Sequence, residues 1–264
     1  MKPAMRKFFR SLQVHFPALQ DYRFDLQRNI RTLFNRTHET DFELLRCLPK
    51  SKNNLFVDVG ANRGDAIHSI LMTRPDTVVL AFEPNSFLIQ KLNRLYGNDP
   101  RVIINNCGLG NEPTEFDLFI PFYNNYMFDG LASFKEENAR DWLKGRLYGF
   151  SEQKLELKKI SCSVKRLDDF AIKPYFVKID VQGFEYEVLL GAINTLREAR
   201  PILLIETPGD KEINFLTALE YQAFVFKNQK LLSGYDQLNV FFIPEEMIHT
   251  LKDLVQTEVS QVAA

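Results

Sequence analysis

Four acidic residues in this chain stand at the carboxyl ends of short apolar runs: Asp58 in LFVDV, Glu83 after VVLAF, Asp180 after FVKI and Glu206 after ILLI. Runs of this composition read as strands of a parallel sheet covered on both faces. In open α/β sheets, ligands bind outside the carboxyl ends of such strands. A carboxylate there can accept hydrogen bonds from hydroxyls, pair with a cation or take up a proton. Four acids along one edge therefore suggest a polar ligand and a proton to be moved.

The stretch from Asn54 to Asp65 joins an apolar strand to a glycine turn and then a helix, with the spacing D-x-G-x-x-x-G through Asp58, Gly60 and Gly64. Backbone N–H groups at such a helix start can hold an anion. The close glycines of G-x-G-x-x-G, which let a pyrophosphate approach, are missing, and Asp58 would repel one. A carboxylate suits a ligand with a cationic amino group, such as the methionine part of S-adenosylmethionine, although an ordinary βα turn would read the same way. Glu83 follows 25 residues after Asp58, about where an acidic residue meets ribose hydroxyls in a βαβ nucleoside site. The alternative is a surface Glu capping the next helix. Asn106, at the end of a third strand, would lie beside the base of such a nucleoside.

The elements that must position these residues follow in alternation. Beyond the first two strands come a helix from Ser86 to Tyr96, a strand from 101 to 106, strands at 174–180 and 201–206, and two last strands at 223–226 and 240–243, close enough to pair antiparallel. From Phe116 to Val164 the alternation breaks. FDLFI and the stretch Leu155 to Val164 read as strands flanking a segment rich in Phe, Tyr, Gly and Asn that contains the one tryptophan, Trp142. Such an insertion at the ligand edge reads as a substrate lid, with Tyr123, Tyr126, Trp142 and Tyr148 offering faces for a sugar. Simple cover for a sheet edge is the alternative.

The 264 residues allow one large α/β domain with an extension, and 45% hydrophobic content supports a substantial core. A net charge of −1 gives no electrostatic case for nucleic acid. Cys47, Cys107 and Cys162 are scattered without metal-ligand or C-x-x-C spacing, so no metal is expected and a reducing, cytoplasmic setting fits. Residues 1–36 stand apart, with eight Lys/Arg against Asp21 and Asp25, or +6, which leaves −7 for the remainder. Phe8, Phe9, Leu12 and Phe16 fall near helical spacing, as do Leu26, Ile30 and Leu33. A basic amphipathic segment of this kind suits peripheral contact with an anionic membrane, or packing on its own domain.

VDVGANRGD, AFEPN, VKRLDDF and above all VKIDVQGFEYEVLLGA resemble, in order and spacing, the motif set of the FkbM-type methyltransferases. The resemblance covers about residues 54 to 243. It implies a class I methyltransferase-like α/β fold: a doubly wound, seven-stranded sheet with a reversed last strand over 54–264, preceded by a basic helical extension over 1–53. It implies S-adenosylmethionine as cofactor, with Asp58, Gly60, Asn62 and Gly64 around its methionine end, Glu83 on the ribose and Ser133 also near it. Asp180 would stand where the methyl moves, with Glu206 the second candidate base. The family reads D-x-E-G where this chain has Gln182. The implied reaction is O-methylation of a sugar, glycan, glycolipid or related metabolite. A D/N-P-P-Y/F turn, which would favour nitrogen acceptors, is replaced by DVQG. A nicotinamide-dependent oxidoreductase and a non-catalytic module that kept the fold are the rival readings. His68, on the helix after the glycine turn, reads as packed or exposed rather than as a base.

Overall fold

A computed structural model describes residues 3–51 and 54–256, without the side chains of residues 3, 4 and 6. The seven strands of the central sheet are β1 (Leu55–Val59), β2 (Val78–Phe82), β3 (Val102–Asn105), β4 (Phe176–Ile179), β5 (Ile202–Glu206), β6 (Tyr221–Lys227) and β7 (Asn239–Pro244). They lie in the order β6-β7-β5-β4-β1-β2-β3, and β7 runs antiparallel to both of its neighbours. Two short strands, Lys230–Ser233 and Val255–Gln256, extend the β6 edge to nine in all. Neither stands out in sequence, the second being only two residues long.

Alternation along each strand sends Phe56 and Phe176 to one face and Val57 and Val177 to the other, and each set enters a separate core. On the first face, Phe42, Leu44, Leu45 and Leu48 join Phe56, Ile67, Ile70 and Phe241. Phe42 lies on a 3-10 turn (Thr40–Glu43), Leu44 and Leu45 on a short helix (Leu44–Cys47), and Leu48 directly after it. The end of the 1–53 segment is thus a working part of the core. On the second face, Val188, Leu189, Leu196 and Leu216 cover the sheet.

The insertion forms its own four-stranded sheet, dominated by the antiparallel pairing of Thr114–Tyr123 with Leu155–Lys165. Tyr123, Tyr126, Trp142 and Tyr148, the residues expected to offer faces to a sugar, do not line the cavity at the carboxyl edge of the main sheet. Tyr123 and Tyr126 are buried with Phe128, Leu143 and Leu147 in a cluster that also takes in Val14 and Trp142. A segment cut off from the main sheet must bury apolar surface of its own to stay folded. Tyr123, Tyr126 and Trp142 serve that purpose, while Tyr148 is exposed.

The N-terminal segment forms α1 (Pro3–Gln13) and α2 (Gln20–Leu33). Both pack on the domain, but with their polar faces. From α2, Gln20 donates to the Met127 carbonyl at 2.7 Å, Arg28 to the Arg63 carbonyl at 2.9 Å, and Arg31 pairs with Asp65 at 2.9 Å. On α1, Lys7 and Arg10 lie over the rings of Tyr148 and Trp142. No helix among the described residues is long and apolar enough to cross a membrane.

Candidate active site

The turn after β1 is shaped by positive backbone angles at Gly60 (φ 78°), Asn62 (φ 47°) and Gly64 (φ 79°). A Cβ on Gly60 would stand 1.9 Å from the Asp180 carbonyl oxygen, so only glycine lets the turns after β1 and β4 meet. The amides of Gly60 and Ala61 both bond to the Phe82 carbonyl at 3.0 Å, which fixes the turn against the end of β2. Glu83 completes this arrangement. It is buried, and its two carboxylate oxygens accept from the Asn62 amide at 2.8 Å and the Asn85 amide at 2.9 Å. Burial pushes its pKa up to about 7 against these two hydrogen bonds.

These turns wall a cavity of about 470 Å³ at the carboxyl edge of the sheet. Of the residues singled out in the sequence, Gly60, Asn62, Glu83, Ser133 and Asp180 line it. Asp58, Gly64, Asn106 and Glu206 do not. Gly64 lies behind the turn, its carbonyl accepting from the Tyr96 hydroxyl at 2.9 Å. Asn106 lies beyond the end of β3 and is exposed, and the chain reaches the cavity two residues later, with Gly108 and Leu109. The opposite wall is aromatic. Phe116, Phe134 and Phe184 form a cluster with ring centroids 5.2 to 6.1 Å apart.

Asp58 differs most from its sequence reading. It is wholly buried below the cavity floor, and its counterion is Lys178 of β4, the residue opposite it in register. Lys178 Nζ lies 3.3 Å from Asp58 Oδ1, 3.3 Å from Asp180 Oδ2 and 3.1 Å from the Gly60 carbonyl. Burial works against the lysine's charge, but the two carboxylates outweigh it and hold its pKa above the usual value. Burial raises the pKa of Asp58, opposed by Lys178. Asp58 thus has its cation within the protein and does not line the cavity. A lysine inside an otherwise apolar strand was the signal available for this pairing, since a buried charge needs a partner.

At the cavity edge, the Gln182 side-chain amide donates to Asp180 Oδ1 and to Glu206 Oε2, both at 3.0 Å. Gln182 reaches them from a left-handed turn (φ 56°). Below that turn, the Glu185 carboxylate accepts from the Gly183 amide at 2.9 Å and the Val181 amide at 3.2 Å. Burial would raise the pKa of Asp180, but Lys178 and the hydrogen bonds from its neighbours hold it below the ordinary value. Glu206 moves the other way, up to about 8, through its hydrogen bond with Asp180, burial and the nearby negative charge. The two shifts run in opposite directions, favouring the charge on Asp180 and the proton on Glu206. Glu206 belongs to a small polar space behind Asp180, together with His38, Glu39, Lys178 and Asn239. His68 is held by Thr32 at 3.0 Å, away from the cavity.

The profile of the methyltransferase FkbM domain matches residues 58–236. The chain belongs to the FkbM methyltransferase family. Its domain is a class I S-adenosylmethionine-dependent methyltransferase domain, and membership removes the oxidoreductase alternative. Among solved structures, an FkbM methyltransferase from Methylobacillus flagellatus KT is similar at 18% identity and a TM-score of 0.49, covering 77% of this chain and 48% of that one. The chain thus spans about half the length of that relative. A putative O-methyltransferase from Klebsiella pneumoniae is similar at 13% identity and a TM-score of 0.39, covering 88% of this chain and 99% of that one. A SAM-dependent O-methyltransferase from Thermotoga maritima is similar at 10% identity and a TM-score of 0.36, covering 76% and 63%. No curated protein matches the chain.

The residues present fit the family's cofactor. Glu83 keeps lone pairs for ribose hydroxyls after accepting two amides, since each carboxylate oxygen has two acceptor sites. Leu109 and Pro84 add an apolar side to the same end of the cavity, as a nucleoside base requires.

Proposed function

We propose that this chain methylates a hydroxyl group of a small-molecule or glycan acceptor, with Asp180 as the residue that orients the hydroxyl and takes its proton. The observation that carries this reading is the place of Asp180. It lines the cavity, with Lys178 Nζ 3.3 Å from one carboxylate oxygen and the Gln182 amide 3.0 Å from the other, an arrangement that holds its pKa below the ordinary value. When bound, S-adenosylmethionine supplies an electrophilic methyl group on a sulfonium. Glu83 would hold its ribose, and Gly60 and Asn62 the methionine end. Asp58 acts from beneath by fixing Lys178 rather than by touching the ligand.

A sugar-type hydroxyl is a weak nucleophile, and a positioned carboxylate that accepts its proton raises the rate. Gln182 fixes the carboxylate's direction without adding negative charge, where a Glu would crowd a third acid onto Asp180 and Glu206. Phe116, Phe134 and Phe184 offer apolar faces to an acceptor and help to exclude water. The acceptor itself is best sought by incubating the protein with labelled cofactor and panels of glycans and hydroxylated metabolites.

The deciding variant is Asp180→Asn. Its affinity for S-adenosylhomocysteine, measured by calorimetry, should stay within a few-fold of the parent, and methyl transfer should fall by roughly 10²–10⁴, the range for loss of a general base. Transfer within a few-fold of the parent would assign the proton to Glu206 or to alignment alone. Binding of S-adenosylhomocysteine without transfer to any acceptor, in the parent as well, would favour the non-catalytic module.

A further inference from the structure

The N-terminal helices carry their amphipathicity the wrong way round for a segment that only packs on its own domain. On α1, Lys7, Arg10 and Ser11 face the insertion, as does Val14 just beyond the helix, while Phe8, Phe9 and Leu12 are about half exposed. On α2, Gln20, Asp21, Arg28 and Arg31 hold the catalytic domain, while Leu26, Ile30 and Leu33 point outward, Leu33 with 79% of its surface exposed. Most of the large apolar side chains exposed among the described residues lie within residues 5–34. Exposing a contiguous apolar face has a cost in water, so such a face marks a docking surface.

Charge selects what docks there. Residues 1–36 carry a net +6, and the two acids within them are engaged with basic groups of the domain, Asp21 with Arg63 and Lys91, Asp25 with Arg94. A second copy on this face would bring two such positive segments together, and like charges brought together at an interface repel. An apolar face set in a basic segment matches an anionic lipid surface instead. At 11 and 14 residues, α1 and α2 are too short to span a bilayer and suited to lying in its interface.

We propose that α1 and α2 together form a membrane-docking face that lays the domain on an anionic bilayer. Large apolar side chains enter the interface, and the net positive charge of the segment draws it to the anionic surface. The inference rests on the surface alone, not on the methyl-transfer reading.

Flotation of the full chain with vesicles tests it. The chain should float with vesicles of phosphatidylcholine mixed with phosphatidylglycerol, and far less with phosphatidylcholine alone. Leu26→Glu with Ile30→Glu, and separately Phe9→Glu with Leu12→Glu, should each lower the bound fraction by about tenfold or more, given what burying each such side chain contributes. Thermal unfolding and S-adenosylhomocysteine affinity should not change, because these side chains touch neither core nor cavity. Failure to float with the mixed vesicles would overturn the proposal. So would unchanged flotation of both variants, or a dimer in light scattering that the same substitutions dissolve.

Discussion

The raised pKa of Glu206 has a consequence for stability. Glu206 ionises with a pKa near 4.5 when unfolded and near 8 when folded. The folded state therefore holds more protons between those values, and stability falls as pH rises through that window. Its contribution is complete below about 4.5 and gone above about 8. Glu83, raised to about 7, acts with the same sign over a narrower range. Asp180, whose pKa is lowered, adds stability that disappears only on acidification, below the usual carboxylate range. The variant Glu206→Gln should thus lose part of the decline seen in the parent, most visibly between pH 7 and 8, where Glu83 no longer contributes. Urea midpoints measured at several pH values check this. Parallel curves for variant and parent would mean that Glu206 ionises normally.

Among single residues, Asp180, Glu83, Gly60 and Asn62 were legible as residues at the cavity because strand ends and glycine turns mark their places, and Ser133 only through the family resemblance. Asp58 was legible as important but not in its role. Its type and position suit a ligand's cation as well as a protein cation, and only the register with Lys178 decides between them. Gln182 was noticed only as a departure. That its amide joins two carboxylates depends on a turn whose shape the sequence does not specify.

The turn after β1 acts as one element with the turn after β4. Substituting Gly60→Ala would place a methyl group against the Asp180 carbonyl in a backbone region that alanine avoids. The strain of such a site is of order 1–3 kcal/mol before any clash is counted. The expected result is a lower melting temperature with weakened S-adenosylhomocysteine binding, read by thermal denaturation and calorimetry. A variant as stable as the parent, with unchanged affinity, would mean that the two turns are free to separate. The insertion illustrates the other side of legibility. Its strands were readable from alternation, but Tyr123, Tyr126 and Trp142 went to an internal core with Val14. Aromatic content alone does not say which face of an element is buried. The same limit applies to α1 and α2, whose periodicity is identical whichever face turns inward.

At the scale of the whole molecule, the sheet order follows from its strands. Apolar runs separated by helices give the parallel part, and the close spacing of β6 and β7 gives the antiparallel pair. What joins the remaining parts is less local. Arg63, in the turn between Asn62 and Gly64, pairs with Asp21 of α2 at 2.8 Å and with Asp129 of the insertion, and it lies over the ring of Phe24. Three regions far apart in sequence thus meet at one guanidinium, immediately beside the residues that line the cavity. A ligand that stiffens the 60–64 turn should slow backbone opening wherever Arg63 is anchored. Deuterium uptake in residues 20–33 should therefore drop when S-adenosylhomocysteine is added, although no atom of α2 lines the cavity, and Arg63→Gln should abolish the difference while leaving uptake in β1 unaltered. The outer helices would then report, through the pace at which their amides trade hydrogen with water, whether the site at the sheet edge is filled.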